Sequence, residues 1–254
     1  MVTSVRYGGT LWETCTRDGR YLSPYLVIAS GNAAEPVVPS WPGQATFRGQ
    51  ILHSDEYRNG EPFRGQKLLV VGFGNSGAEI ALDLWEHGAE PAISVRSPVN
   101  IIPRDMLGVP IVTIGIILSK LPARLVDAIS APALRLALGD LSRFGLRRLP
   151  YGPITQMERK GRIPVIDVGA TNLIQKGQIK IWPGIERFFD RGVQFDDGSR
   201  ANFNAVILAT GYRPTVTRFL KDASAVTGGD GNSVSSGREV ALPGLYFCSL
   251  YVSP

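Results

Sequence analysis

The chain has 254 residues, of which 44% are hydrophobic and 19% charged, a composition typical of a soluble globular protein with one large or two small domains. Its net charge of +5 suits an anionic ligand, but no Lys/Arg-rich run with interleaved aromatic residues predicts a nucleic-acid surface, and we interpret Arg143, Arg147 and Arg148 as a solvated helix face. Cys15 and Cys248 form no C-x-x-C pair and no signal peptide or membrane span is visible, so we expect a cytoplasmic protein without a metal site.

The first predicted segment, residues 1–39, reads as a meander of short strands. The turn pairs Gly8-Gly9 and Asp18-Gly19 separate three runs with strand composition, at residues 4–7, 11–16 and 21–28. No glycine fingerprint for a nucleotide occurs in this segment.

Residues 40–63 are predicted to be an ordered linker, because prolines precede them and fix an extended backbone. The linker carries the pattern F-x-G-x-x-x-H-x-x-x-Y at Phe47, Gly49, His53 and Tyr57. Taken alone, His53 is a linker histidine that bonds to backbone, and we assign it no catalytic role.

Residues 64–208 are predicted to form a nucleotide-binding domain, because an apolar run over 67–71 leads through G-x-G-x-x-G into a helical pattern. Gly72 permits a tight turn, Gly74 leaves the backbone open to a pyrophosphate, and Gly77 lets the helix pack closely on the strand. The N–H groups at the helix start then face the phosphates. The alternative is an ordinary strand-to-helix turn.

The end of the next strand indicates which dinucleotide is bound. An NAD site places an acidic residue about 20 residues beyond the glycines. This chain has Arg96 there, followed by Ser97. Since a guanidinium can bind a 2′-phosphate bidentately, the pattern favours NADP(H). The alternative is that Arg96 is a solvated charge at a strand end.

Residues 98–160 are predicted to be a helical insertion in this domain, cut into short pieces by Pro122 and Pro132. Residues 109–138 carry few charges, and the simplest interpretation is a helical pair packed on the core. The alternatives are a lid, a wall of a substrate tunnel or a contact with a membrane surface, of which we do not expect the last. The apolar run Ile111–Leu118 is too short to cross a bilayer.

The remaining segments return to strands and short turns. We predict strands at 162–168, 178–182, 185–189, 192–195, 205–209 and 242–248, and a helix at 170–176. The strand ending at Ala209 runs into Thr210, Gly211 and Tyr212, and small residues at a strand end suit close contact with a cofactor. The alternative is a plain exit from strand to turn.

These motifs together resemble the flavin-containing monooxygenases. The linker pattern, the glycine turn and the Ala-Thr-Gly-Tyr strand end match the family, and residues 72–77, 95–97, 103–108 and 161–169 look like its YUCCA-type branch, the indole-3-pyruvate monooxygenases. The resemblance implies an α/β fold in which a three-layer, Rossmann-like NADPH-binding domain is inserted in an FAD-binding domain. Because no first glycine turn for FAD is present, we expect that FAD-binding domain to be incomplete, with remnants at 1–39 and 209–254, and the chain to be truncated at both ends.

The resemblance also implies a reaction. Members use NADPH, FAD and O₂, through a C4a-hydroperoxyflavin, to oxygenate a heteroatom or a 2-oxo acid of a small organic substrate. In that family Asn75 lies near the cofactor interface and is the candidate catalytic residue, with a helix N-cap as its alternative role, and Ser76 joins the cofactor contacts. The alternative function is a non-catalytic NADP(H)-binding module; the substrate and the oligomeric state stay open.

Overall fold

The fold is described from a computed structural model, which covers residues 1–106, 108–118, 120–160, 162–229 and 231–248. Leu107 and Gly161, which fall in two of the motif segments above, lie outside the described residues.

The regular elements are short strands with six α-helices among the described residues. The strands are β1 (Val2–Tyr7), β2 (Trp12–Thr16), β3 (Arg20–Ser23), β4 (Leu26–Ile28), β5 (Glu35–Pro36), β6 (Gln50–His53), β7 (Lys67–Val71), β8 (Glu90–Ser94), β9 (Ile101–Pro103), β10 (Asp105–Met106), β11 (Val109–Pro110), β12 (Val165–Asp167), β13 (Lys180–Trp182), β14 (Ile185–Phe189), β15 (Gly192–Phe195), β16 (Arg200–Asn202), β17 (Ala205–Leu208), β18 (Tyr212–Arg213) and β19 (Leu245–Phe247). The helices are α1 (Asn75–Glu86), α2 (Ile111–Leu118), α3 (Ala123–Leu138), α4 (Pro153–Lys160), α5 (Ala170–Gln175) and α6 (Val216–Phe219).

The chain forms two compact units. The first consists of Met1–Val37 together with the described residues from Tyr212 onward, and the second is Val38–Gly211. The second unit is therefore inserted in the sequence of the first.

A five-stranded parallel sheet organises the second unit, in the order β13-β8-β7-β17-β6. Parallel strands are buried on both faces, which is why β7 and β17 are almost wholly apolar. Strand β6 comes from residues 50–53, inside the segment expected to be a linker. Burial increases along this strand, and its last two residues, Leu52 and His53, are buried.

The two faces of this sheet pack against different layers. Because side chains alternate along a strand, Leu68 and Val70 join the core with α1 and α5, whereas Leu69 and Val71 join Phe188. Phe188 belongs to the antiparallel sheet β14-β15-β16, which covers the second face. The result is helices, parallel sheet and antiparallel sheet, the predicted three-layer α/β arrangement.

The first unit contains the predicted meander, since β1, β2 and β3 form an antiparallel sheet. Trp12 is fully buried in its core, and its Nε1 donates to the Pro243 carbonyl at 2.8 Å. The third predicted run divides into β3 and β4, because Pro24 lies between them. Strand β19 pairs in parallel with β4, as expected for the strand predicted at 242–248.

The insertion differs from its prediction at Pro132, which lies inside α3 and does not end it. A proline removes one helical hydrogen bond, but Val126, Leu134 and Leu138 on the same helix are buried, and their packing maintains the helix across the proline. In the described part of the chain, no helix combines the length and the apolar character needed to cross a membrane.

Candidate nucleotide-binding site

The glycine turn joins β7 to α1 in a geometry that only glycine satisfies at two positions. Gly72 has φ of +107°, in the left-handed region, and a Cβ there would lie 2.5 Å from the Ala209 carbonyl oxygen. A Cβ on Gly77 would lie 2.1 Å from the Gly72 carbonyl oxygen. Because neither residue has a side chain, α1, the turn and the end of β17 can pack closely against one another.

Gly74 has a different environment. It is the N-cap of α1, its backbone is extended, and a Cβ there would meet no atom within 4 Å. Among the described residues no side chain caps this helix, and its first turn holds no acidic residue. The N–H groups of Asn75, Ser76 and Gly77 consequently form an uncapped, electropositive helix end with open space before it.

The segment after β17 lies beside this turn. Strands β7 and β17 are paired neighbours, so Ala209 and Thr210 follow the same edge of the sheet as Gly72. Gly211 has φ of +84°, and a Cβ there would again meet nothing within 4 Å. The structure thus places the predicted residues Ala209, Thr210 and Gly211 next to the glycine turn, with open backbone at Gly211.

His53 holds this segment in place. Its side chain is buried, and its Nδ1 accepts from the Asp55 N–H at 3.1 Å. Because Nδ1 is an acceptor, Nε2 carries the proton and donates to the Gly211 carbonyl at 3.2 Å. His53 is therefore a positioning residue for the strand end, in agreement with its interpretation as a histidine bonded to backbone.

The other residues of the linker pattern also pack within this unit. Phe47 contacts Phe188 edge to face at 5.5 Å between ring centroids. A Cβ on Gly49 would lie 2.3 Å from the Asn204 carbonyl oxygen, so the chain passes close to another backbone there. Tyr57 donates to Asp83 Oδ2 of α1 at 2.5 Å.

The environment of Tyr57 changes its acidity. Burial, and then the hydrogen bond to the Asp83 carboxylate, raise the pKa of the Tyr57 hydroxyl well above its ordinary value of 10. The phenol stays protonated and ties the linker to α1.

Arg96 and Ser97 lie just beyond the end of β8, and both are exposed. Arg147 Nη2 donates to the Arg96 carbonyl at 2.9 Å, so a second guanidinium approaches the same strand end. Arg96 and Arg147 have no carboxylate partner among the ion pairs of the described residues. The pair can therefore offer its charge to an anion.

This placement corrects the interpretation of Arg143, Arg147 and Arg148 as one solvated helix face. All three side chains are exposed, but only Arg143 lies on a helix, the short 3₁₀-helix Leu141–Phe144, where it pairs with Asp140 at 3.4 Å. Arg147 and Arg148 follow that helix and donate to backbone carbonyls. Sequence reasoning missed Arg147 because 51 positions separate it from Arg96.

Asn75 is the first residue of α1, and Gly74 holds the cap position, so the N-cap role considered for Asn75 is wrong. Its Oδ1 accepts from the Ile166 N–H at 2.7 Å and ties α1 to β12. Asn75 is half-buried, beside the open helix end. In the described residues no group of three His, Cys, Asp or Glu side chains could hold a metal ion.

A family model and similar curated proteins both point to one family. A model of the flavin-binding monooxygenase-like family matches residues 12–232. Indole-3-pyruvate monooxygenase YUCCA8 of Oryza sativa subsp. japonica is 48% identical over 220 residues, 85% of this chain and 52% of that protein. The probable indole-3-pyruvate monooxygenase YUCCA1 of Arabidopsis thaliana is 43% identical over 219 residues, 85% and 53% respectively. The chain spans about half the length of the curated relatives it matches.

Solved structures share the fold. A flavin-containing monooxygenase from Stenotrophomonas maltophilia matches with a TM-score of 0.63 and 24% identity, covering 97% of this chain and 61% of that one. Cyclohexanone monooxygenase from Rhodococcus sp. Phi1 bound to NADP+ matches with a TM-score of 0.63 and 17% identity, covering 97% and 59%. The predicted α/β fold and the predicted family resemblance are both confirmed.

Proposed function

The chain belongs to the flavin-binding monooxygenase-like family, and from this premise we propose that it supplies the NADPH-binding site of a flavin-dependent monooxygenase. The observation that carries the proposal is the open, uncapped start of α1 at Gly74, one strand away from the guanidiniums of Arg96 and Arg147. A dinucleotide with an additional phosphate needs both features.

Different residues would bind different parts of the dinucleotide. The pyrophosphate would lie over Gly74 and accept hydrogen bonds from the N–H groups of Asn75, Ser76 and Gly77, where the helix dipole also attracts it. The adenosine 2′-phosphate would lie between Arg96 and Arg147, with Ser97 as a hydroxyl donor. These contacts orient the cofactor and leave its nicotinamide end free to reach the reacting group.

The strand end at Ala209, Thr210 and Gly211 is proposed as the second backbone contact with the cofactors. A Cβ on Gly74 or on Gly211 would meet no atom within 4 Å, so a ligand can approach the backbone closely at these two residues. The hydrogen bond from His53 fixes the Gly211 carbonyl and hence the direction of the open backbone. Asn75 remains our candidate for a polar side chain at the reaction site.

Flavin, when bound, supplies the reaction with O₂ that the nicotinamide cannot perform. The sequence has one G-x-G-x-x-G, at residues 72–77, and the geometry there fits the NADPH pyrophosphate. The described residues include no second glycine turn of this kind that would hold FAD. The protein's own contribution is to bind NADPH, to orient it and to shape the sheet edge.

The relatives' names concern indole-3-pyruvate, an aromatic 2-oxo acid. We accordingly propose a small organic substrate, with O₂ as co-substrate. We also propose that the protein is cytoplasmic and that it has no nucleic-acid partner. Cys15 and Cys248 form no disulfide in the described part of the chain, which suits a reducing compartment.

The experiment is a calorimetric titration of the purified chain with NADP+ and with NAD+, after its absorbance has been recorded for bound flavin. We expect NADP+ to bind at least tenfold more tightly. A yellow protein would support the monooxygenase, and a colourless protein that prefers NADP+ would support the non-catalytic NADP(H)-binding module. Equal affinity for the two nucleotides would overturn the NADPH assignment.

A further inference from the structure

A cavity of about 640 Å³ lies between α3 and the loop that leads into α4, within the second unit. Its volume is in the range of small-molecule sites. Its lining includes none of the residues proposed above to hold NADPH. A ligand in this cavity would therefore be held by contacts other than those that hold the dinucleotide.

Most of the charged side chains that line this cavity are arginines. Arg124 and Arg135 come from α3, Arg148 from the loop and Arg159 from α4. None of the four takes part in an ion pair among the residues that the structure describes. Because a guanidinium does not lose its proton in proteins, all four positive charges persist at neutral pH.

The one carboxylate in the lining, Asp127, does not neutralise these charges. Its Oδ1 accepts from the Ile154 N–H and its Oδ2 from the Thr155 N–H, each at 2.9 Å. Both donors lie in the first turn of α4, so the start of that helix already compensates the carboxylate. The cavity is consequently lined with an excess of positive charge.

Two of the arginines belong to the same end of the cavity, where α3 ends. Arg135 lies in the last turn of α3, and the Gly139 N–H donates to its carbonyl at 2.9 Å. Arg148 Nη2 donates to the Gly139 carbonyl, also at 2.9 Å, and the other N–H groups of this guanidinium stay available. Arg124 lies in the first turn of α3, about 16 Å away along the helix axis. The end of a helix carries only about half a negative charge, so more than one positive charge at this end stays uncompensated.

A phosphate monoester matches this end of the cavity better than a carboxylate does. At pH 7 a phosphate monoester carries a charge of about −1.5 to −2, whereas a carboxylate carries a single charge. Guanidinium groups also bind phosphate oxygens bidentately, and two guanidiniums can bind different oxygens of one phosphate group. The charges of Arg135 and Arg148 are therefore balanced by one phosphate group and not by one carboxylate.

The middle of the cavity is apolar and indicates the rest of the ligand. Ala128 and Ala131 lie on the same stripe of α3 as Arg124 and Arg135, because positions three, four or eleven apart share a helix face. Buried Leu134 adds an apolar wall. Inorganic phosphate would leave these surfaces uncovered, so the ligand that fills the cavity carries an apolar body next to its phosphate.

We propose that this cavity binds a phosphate monoester with an apolar body, its phosphate held by Arg135 and Arg148 and its body lying over Ala128 and Ala131. The site is separate from the NADPH site, and it does not depend on the activity proposed for that site. Because the ligand would contact both α3 and the loop, its binding should also raise the Tm of the chain.

The test is calorimetry on the whole chain with three probes: phenyl phosphate, benzoate and inorganic phosphate. Each probe is titrated with and without saturating NADP+, because the NADPH site also attracts phosphate groups. We expect saturable binding of phenyl phosphate with Kd below about 1 mM in both conditions. Benzoate should bind at least tenfold more weakly because it has the smaller charge, and inorganic phosphate at least fivefold more weakly because it has no apolar body.

Charge variants test the proposed phosphate contacts. Arg135→Gln and Arg148→Gln should each weaken phenyl phosphate binding by roughly tenfold, because each removes a charge-assisted hydrogen bond. Arg143→Gln is the matched control, since Arg143 is an exposed arginine of the same region that does not line the cavity. It should change the affinity for phenyl phosphate less than twofold.

A further variant, Ala128→Phe, places a ring where the apolar body would lie and keeps every charge. It should abolish phenyl phosphate binding while NADP+ affinity stays unchanged, which separates this proposal from the NADPH assignment. Thermal unfolding shows whether each variant is folded, and the three arginine variants decide the question if Ala128→Phe is not.

Several results would overturn the proposal. One is the absence of saturable phenyl phosphate binding up to about 1 mM in either condition. Others are binding of benzoate or inorganic phosphate as tight as that of phenyl phosphate, and unchanged binding by a folded Ala128→Phe variant. Equal effects of Arg143→Gln and of the two cavity variants would overturn it as well.

Discussion

Two alanine substitutions in the glycine turn should separate folding from cofactor binding. A Cβ on Gly77 would stand 2.1 Å from the backbone oxygen of Gly72, where an ordinary contact is above 3 Å. Helix and turn must therefore move apart by roughly 1 Å, and such overpacking costs about 1–3 kcal/mol. For a unit of this size that lowers Tm by roughly 2–12 °C.

Gly74→Ala should behave in the opposite way. Its φ of −102° is allowed for alanine, and the new Cβ meets no protein atom within 4 Å. Alanine is a poorer cap than glycine but loses less entropy on folding, so the two terms offset each other to within about 1 kcal/mol. The methyl group occupies the space proposed for the pyrophosphate, and NADP+ affinity should fall at least tenfold.

The assay is thermal unfolding of both variants together with calorimetric titration of NADP+. We expect Gly74→Ala to keep its Tm within about 3 °C and to lose the nucleotide. If Gly74→Ala binds NADP+ like the wild type, the pyrophosphate does not approach this residue and the reasoning fails.

The remaining predictions concern charges and the half-buried hydroxyl of Tyr57. Arg147→Gln should weaken NADP+ by roughly five- to tenfold with little effect on NAD+, whereas Arg143→Gln, its exposed neighbour, should change neither; calorimetry that gives the same result for both variants would remove Arg147 from the site. Tyr57→Phe loses the hydrogen bond to Asp83 and should cost about 1 kcal/mol of unfolding free energy at pH 7. Because the folded-state pKa of Tyr57 is raised, its unfolded form releases the proton first, so the wild type should lose stability relative to Tyr57→Phe above about pH 10, by up to about 1.4 kcal/mol per pH unit. Denaturant titrations that show a constant difference from pH 8 to 11 would contradict that cause.

The sequence predicted the central part of the fold, because its signals are local. An apolar run, three glycines and a helical pattern lie within about 20 residues, and the strand, turn and α1 formed there. The strand within the predicted linker was harder to predict from sequence. Residues 50–53 join the parallel sheet as β6 beside β17, a pairing with residues about 155 positions away that no local pattern displays.

The side-chain geometry of the site was less accessible from sequence. Arg147 reaches the Arg96 carbonyl only because the insertion folds back on the end of β8. Asn75 has the short polar side chain of a helix cap, but the turn places Gly74 in that position and leaves Asn75 to bind Ile166 of β12. Both details depend on tertiary contacts between distant segments.

The most direct measurement is the ratio of NADP+ to NAD+ affinity in the wild type and in Arg96→Ala. Loss of a charge-assisted contact with the 2′-phosphate predicts that NADP+ weakens by roughly 10- to 30-fold while NAD+ changes less than twofold. Equal weakening of both nucleotides, or no change in either, would contradict the capture of a phosphorylated nicotinamide dinucleotide at the start of α1.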